Sequence, residues 1–359
     1  MRFPAALIIT LALVGLGCSD DTESADRTAP TTKALPENAP TTEAPTITGP
    51  APAVGSSGCG TPAALGRTDV RLTSGGLERT SIRHVPTGYD SSTPTPLVLD
   101  FHGYLEGAEI HAVATRMDLT ADRHGFVVLT PQGTGTKPFW NATRVPGIVD
   151  DVAFVSDLLD RTEAELCIDT ARIYSTGLSN GAFMSSLLAC TMSDRFAAVA
   201  PVAGTLAIEP CDVDRPVPVL SIHGTEDPIV PYGGFDRADG TADGENANGP
   251  PELPTDDVTA QMFGRLDLKP VPDAVKLWAE RNGCDDERLT EALPPDVVHH
   301  VWDCPDGAAV EHYEITGAGH TWPGSTFLAG ATKLVGTTSM TIDANEVMWA
   351  FFQGQAIRP

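Results

Sequence analysis

One serine in this chain sits between glycines at the spacing a nucleophile needs, in Gly177-Leu178-Ser179-Asn180-Gly181. Residues 172–176 before it read as a short buried strand, and residues 182–190 after it as a helix with an apolar face. So tight a turn forces the serine into strained backbone, and the flanking glycines keep neighbouring side chains from colliding. The hydroxyl then projects at a helix N-terminus, where N–H groups and the helix dipole favour developing negative charge. That is a setting for covalent acyl transfer. A Gly/Ser turn of no chemical meaning has the same five letters, so a base, an acid and an oxyanion hole are needed elsewhere.

The acid is expected after the apolar run 217–222, where His223-Gly224-Thr225-Glu226-Asp227-Pro228 ends a strand. Asp227 is preferred to its rival Glu226, because Pro228 fixes the turn and the shorter side chain is more easily locked. An Asp that only caps the turn is the alternative. The base is expected at His320, exposed on the loop Gly317-Ala318-Gly319-His320-Thr321-Trp322-Pro323-Gly324. Ser179, Asp227 and His320 thus follow in the order Ser, Asp, His. Other histidines fit less well: His299 and His300 point to opposite faces of one strand, His84 and His223 read as structural, and His111 and His124 fall in a helical region. Two backbone N–H groups must face the developing charge. One is expected from Asn180, the other from Tyr104, after a Gly103 that permits close approach and a His102 that organises the loop. Trp140 and Trp322 are candidate substrate-wall residues, with a core role as the alternative for each.

The elements that must position these residues alternate. Strands are expected at Leu77–Val85 (an edge), 96–103, 126–130, 172–176, 196–203, 217–223, 297–302 and 310–315. Helices are expected at 108–124, 150–159, 182–190, 272–282 and 344–352. Buried strands alternating with helices predict an open, mostly parallel sheet with helices on both faces, and functional residues at the carboxyl ends of the strands. Segment 233–270, rich in Gly, Asp, Asn and Pro, is too long for an ordinary connection. A lid and a disordered insert are both open, and the spacing of its acidic residues does not match a calcium loop.

Residues 1–17, a basic start and a short apolar run, read as a secretory signal. Gly17 before a lone Cys18 resembles the lipobox of bacterial lipoproteins, with Cys18 lipidated; cleavage near Gly17 and free secretion is the alternative. Residues 18–58, rich in Thr and Pro, cannot bury enough apolar surface to order themselves and are expected to be a disordered tether. Residues 59–359 form the expected catalytic domain. Its six cysteines point to disulfides in an exported protein. Chain proximity favours Cys190–Cys211 and Cys284–Cys304, leaving Cys59–Cys167; buried free thiols are the alternative. Their spacing matches no zinc motif, so no metal is expected. A net charge of −25 excludes nucleic acid as a partner. Membrane contact is expected only through an N-terminal lipid, and a monomer is expected.

His102-Gly103, the Ser179 pentapeptide, His223-Gly224-Thr225-Glu226-Asp227 and Gly319-His320-Thr321-Trp322-Pro323-Gly324 together resemble the secreted esterases grouped with polyhydroxybutyrate depolymerases, feruloyl esterases and acetylxylan esterases. Asp150-Asp151-Val152 with Phe154, and Trp278 with Asn282-Gly283-Cys284, share the likeness, which runs from about Cys59 onward. Tyr104 stands where that group often carries Cys or a small residue. The resemblance implies an α/β-hydrolase without cofactor, Ser179 as nucleophile, His320 as base, Asp227 as its orienter, and an acyl-enzyme on the way to ester hydrolysis. Hydroxybutyrate oligomers and feruloylated or acetylated polysaccharides are the implied substrates. Rival readings are an acyltransferase of the same fold acting on cell-wall sugars, and a non-catalytic surface lipoprotein that uses the fold to bind.

Overall fold

Five apolar runs become the strands β3 (Thr95–Phe101), β4 (Val127–Pro131), β5 (Ile168–Leu178), β6 (Ala198–Val202) and β7 (Val219–Gly224). In the computed structural model, which describes residues 51–234, 264–266, 268–327 and 330–358, they are covered on both faces, as parallel strands are. With β1 (Gly66–Ser74), β2 (Leu77–Val85), β8 (Arg288–Leu293), β9 (Val297–Trp302) and β10 (Val310–Ile315), they form one sheet in the order β1-β2-β4-β3-β5-β6-β7-β10-β9-β8. Pairing is parallel from β4 through β10 and antiparallel at both margins.

The period of two along β3 splits the core. Val98 packs on one face with Met117, Phe126, Tyr174, Met348 and Phe352. Leu97, Leu99 and Phe101 pack on the other with Phe154, Leu158, Met184 and Leu187. The first face is covered by α2 (Met117–His124) and the helix Ala344–Phe352, the second by α3 (Asp151–Glu165) and α4 (Asn180–Thr191). Open sheet, mixed margins and helices on both faces make this an α/β-hydrolase.

Four details differ from the sequence expectation. Leu77–Val85 is not the edge: β1 pairs outside it, and β8 forms the other margin. Both new strands are largely exposed and polar, so they carry little hydrophobic signal. The helix expected at 108–124 is two, α1 (Gly107–Thr115) and α2, because Arg116 at φ 50° breaks it. Residues 51–58, expected to belong to the tether, hydrogen-bond to the domain. Val54, Ser56 and Gly58 exchange backbone hydrogen bonds with Thr170, Ile168 and Glu163, and Ser56 Oγ donates to Leu166 O at 2.6 Å. Backbone at the entry of β5 and the end of α3 supplies what apolar side chains do not.

Disulfides join Cys59 to Cys167, Cys190 to Cys211 and Cys284 to Cys304. The expected signal 1–17, Cys18 and the tether as far as residue 50 lie outside the described residues, as do 235–263 and 267 of the long segment. At its described end, Leu266 is buried with Phe183, Leu206 and Val230.

Candidate active site

Ser179 lies between the end of β5 and the start of α4, at φ 57° and ψ −117°. This is backbone an L residue holds only when its surroundings dictate it. Ser179 N–H donates to Val202 O at 2.9 Å and Phe183 N–H to Ser179 O at 2.9 Å. The glycines are required by contact: a Cβ on Gly177 would stand 2.5 Å from Phe101 O, and one on Gly181 2.1 Å from it. Strand β3 therefore presses directly on the turn.

Asp227 follows β7 and is buried. Its Oδ1 accepts from the N–H groups of Ile229 and Val230, each at 2.8 Å. Its Oδ2 lies 2.7 Å from His320 Nδ1 and 3.3 Å from His223 Nε2. Burial alone would raise its pKa, but the charge and hydrogen bonds of His320 and His223 outweigh that and hold the carboxyl well below the usual range. An ionised carboxylate only accepts, so His320 carries its proton on Nδ1, which leaves Nε2 the ring's acceptor. Loop-to-loop bonds fix the pair: Thr225 N–H to Ile315 O and Glu226 N–H to Ala318 O, both 2.9 Å. Among the described residues Glu226, the rival acid, makes this backbone hydrogen bond and no side-chain one. Among the described residues no hydrogen bond joins Ser179 Oγ to His320; apo sites often tighten this contact only when substrate arrives. Leu178 and Thr321, neighbours of the two residues, line one small cavity with Glu106 and Trp322.

The loop after β3 abuts the nucleophile, for a Cβ on Gly103 would lie 3.6 Å from Ser179 Cβ. His102 Nε2 accepts Gly133 N–H at 2.9 Å, so its proton sits on Nδ1 and is donated to Gly103 O at 2.7 Å. Burial keeps this ring neutral, with its pKa lowered to about 4. A planar trans peptide whose carbonyl is pinned to one side turns its N–H to the other, and that N–H belongs to Tyr104. Asn180 opens α4 at the positive end of the helix dipole.

Trp140, expected at a substrate wall or in the core, takes the core position. It is wholly buried, edge-on to Phe101, and its Nε1 donates to His102 O at 3.0 Å. Its backbone N–H and O pair with the Asn180 side chain at 2.7 and 3.0 Å. The large ring fills the space under the site, and the Asn180 side chain thereby ties the 140 loop to the elbow. Arg79 and Asp151, a buried ion pair at 2.7 Å, hold the same loop from below, with Asp151 Oδ2 accepting Asn141 N–H. Trp322 is also buried, but its ring borders the small cavity and a larger one of about 590 Å³. The larger cavity lies over α1 and α2 and touches neither Ser179 nor His320.

Sequence reading missed an array behind the oxyanion loop. His111 Nε2 lies 2.8 Å from Asp100 Oδ1 and its Nδ1 3.0 Å from Glu106 Oε2. Thr115 donates to Asp100 Oδ2, and Glu106 Oε2 accepts Gly103 N–H at 2.7 Å. Asp100, an acid inside an otherwise apolar strand run, was the one available signal.

The family model described as "Esterase PHB depolymerase" matches residues 83–230. The putative esterase NocK of Nocardia uniformis subsp. tsuyamanensis is 30% identical over 271 residues, 69% of this chain and 73% of that protein. Feruloyl esterase B of Piromyces equi is 27% identical over 66% of this chain, which spans only 41% of that protein. Among solved structures, an acetyl xylan esterase from Aspergillus awamori aligns with 71% of this chain and 94% of its own, at 16% identity and a TM-score of 0.49. By the matched family segment and by the relative most of whose length it spans, the chain belongs to the esterase family of the polyhydroxybutyrate depolymerases.

Proposed function

We propose that the chain is a serine esterase that hydrolyses carboxylic esters through an acyl-enzyme. The observation that carries this reading is the 2.7 Å contact of His320 Nδ1 with an Asp227 whose second oxygen is clamped by two backbone N–H groups. Ser179 Oγ attacks the ester carbonyl while His320 Nε2 takes its proton, and Asp227 stabilises the imidazolium that results. The N–H groups of Asn180 and Tyr104 hold the oxyanion. His320 returns the proton to the departing alcohol, then deprotonates the water that releases the acid. Trp322, at the cavity margin, is proposed to contact the substrate.

Feruloylated or acetylated polysaccharides and hydroxybutyrate oligomers are the proposed substrates, supported by the names of the relatives. The three disulfides support export, and the leader with Cys18 supports a cell-surface or extracellular location. Ser179→Ala is expected to lower kcat on a short p-nitrophenyl ester by on the order of 10⁴- to 10⁶-fold. Turnover comparable to wild type would sink the assignment. Rates on methyl ferulate, acetylated xylan and hydroxybutyrate trimer choose among the substrates.

A further inference from the structure

Gly103 is the residue on which the second oxyanion donor turns, and it has no side chain of its own to hold it. Two residues on, Leu105 has φ of 70°, backbone that L side chains rarely adopt. The surrounding structure must therefore clamp it. Gly103 N–H donates to Glu106 Oε2 at 2.7 Å, and Gly103 O accepts from Glu106 N–H at 3.3 Å and His102 Nδ1–H at 2.7 Å. Both peptides flanking Gly103 are thus fixed, and Glu106 contributes to each.

Glu106 is held in turn. Both ring nitrogens of His111 face carboxylate oxygens, at 2.8 Å and 3.0 Å, with no exposed surface on the ring. A histidine between two acceptors must donate from both nitrogens, so it is an imidazolium. Burial opposes that charge, but Asp100 and Glu106 outweigh it and raise the pKa to about 10. The cation has a second consequence. A carboxylate so close to the nucleophile would oppose the oxyanion, and His111 offsets that charge while leaving the geometry in place.

We propose that Glu106 is a positioning residue for ester hydrolysis: braced by His111 and Asp100, it aims the Tyr104 N–H at the oxyanion. The proposal rests on the serine-esterase reading above. Its signature is a loss confined to the transition state, because a misplaced donor weakens what forms there and little else.

The test compares Glu106→Ala, Glu106→Gln and Glu106→Asp in the full-length protein with p-nitrophenyl acetate. Glu106→Ala is expected to lower kcat about 10- to 100-fold with KM within about 2-fold. Its affinity for a phenylboronic acid, which forms a tetrahedral anionic adduct on the serine, is expected to fall by a similar factor. Glu106→Gln keeps an oxygen that can accept from both Gly103 and His111, and is expected to recover most of kcat. Glu106→Asp keeps the charge but withdraws it by one methylene, so it is expected to behave like Glu106→Ala and decides the matter if the alanine variant does not fold. A folded Ala or Asp variant with wild-type kcat, a loss in KM alone, or a Gln variant as impaired as Ala would overturn the proposal. Ester hydrolysis that Ser179→Ala abolishes but Glu106 variants leave untouched sinks this inference and spares the esterase reading.

Discussion

His111, behind the loop of the proposed oxyanion donor, and His312, behind the loop of the proposed orienting acid, are both removed from water, yet the protein treats them oppositely. Burial disfavours the charged form of each. His111 nevertheless stays charged, since two carboxylates lie within 3.0 Å. His312 meets Ser221 O at 3.3 Å and the Tyr232 hydroxyl at 3.0 Å. With burial, and with His223 and His300 adding positive character nearby, its pKa falls to about 3. The contrast shows that depth alone does not fix the state of a buried histidine; the number of carboxylates in contact does. It also separates two jobs. On the oxyanion flank a buried cation braces an acid, whereas on the acid flank the buried carboxylate of Asp227 serves two rings, His320 and His223.

The comparison can be broken most severely at Asp227. Asp227→Asn keeps the shape but removes the acceptor that fixes the His320 tautomer, and kcat is expected to fall by on the order of 10⁴-fold. Steady-state kinetics at neutral pH measures this; a loss of only a few-fold would place the orienting acid elsewhere.

A smaller effect appears in stability against pH. His111 holds its proton more tightly folded than unfolded. Its stabilisation is therefore full below the unfolded value of about 6.5 and disappears as pH rises through about 10. The melting temperature is expected to decline across that window, and His111→Gln is expected to flatten the slope. His312 has the opposite sign: its contribution is present above about 6.5 and is lost as pH falls toward about 3. Accordingly His312→Phe should leave the alkaline slope unchanged and alter only the acid side. Equal alkaline slopes in wild type and His111→Gln would erase the distinction between the flanks.

The smallest effect concerns Trp140, on the oxyanion side. Trp140→Phe loses the hydrogen bond to His102 O and leaves a cavity under the site, and is expected to lower stability by about 2 to 4 kcal/mol with KM unchanged. Denaturant titration and a substrate series check this, and a strong rise in KM would return Trp140 to the substrate wall.

Much of the framework was legible because it depends on local pattern. Continuous apolar runs marked β3 to β7, and glycine spacing marked the turns bearing Ser179 and His320. What escaped depends on tertiary packing. Strands β1 and β8 bury too little to leave a hydrophobic trace. Arg116 gave no sign that it interrupts a helix. Whether Trp140 lines a wall or fills a core is decided by Phe101 and Phe154 packing on it, not by its own chemistry. Asp100, Glu106 and His111 are separated by six and five positions and meet only because the β3–α1 turn folds back.

The bond between Cys59 and Cys167 joins positions 108 residues apart, and this has a mechanical meaning. Residues 54–58 already run antiparallel to the entry of β5, with Gly55 paired to Asp169. A pull on the chain ahead of residue 51 passes through the disulfide into the central strand of the sheet. Without it, only the hydrogen bonds of residues 54–58 stand before β1, an edge strand with one neighbour, and once they gave way the load could peel the β1–β2 hairpin open rung by rung. Oxidised, the domain passes tension to its central strand; reduced, it passes tension through a few backbone bonds to an edge strand.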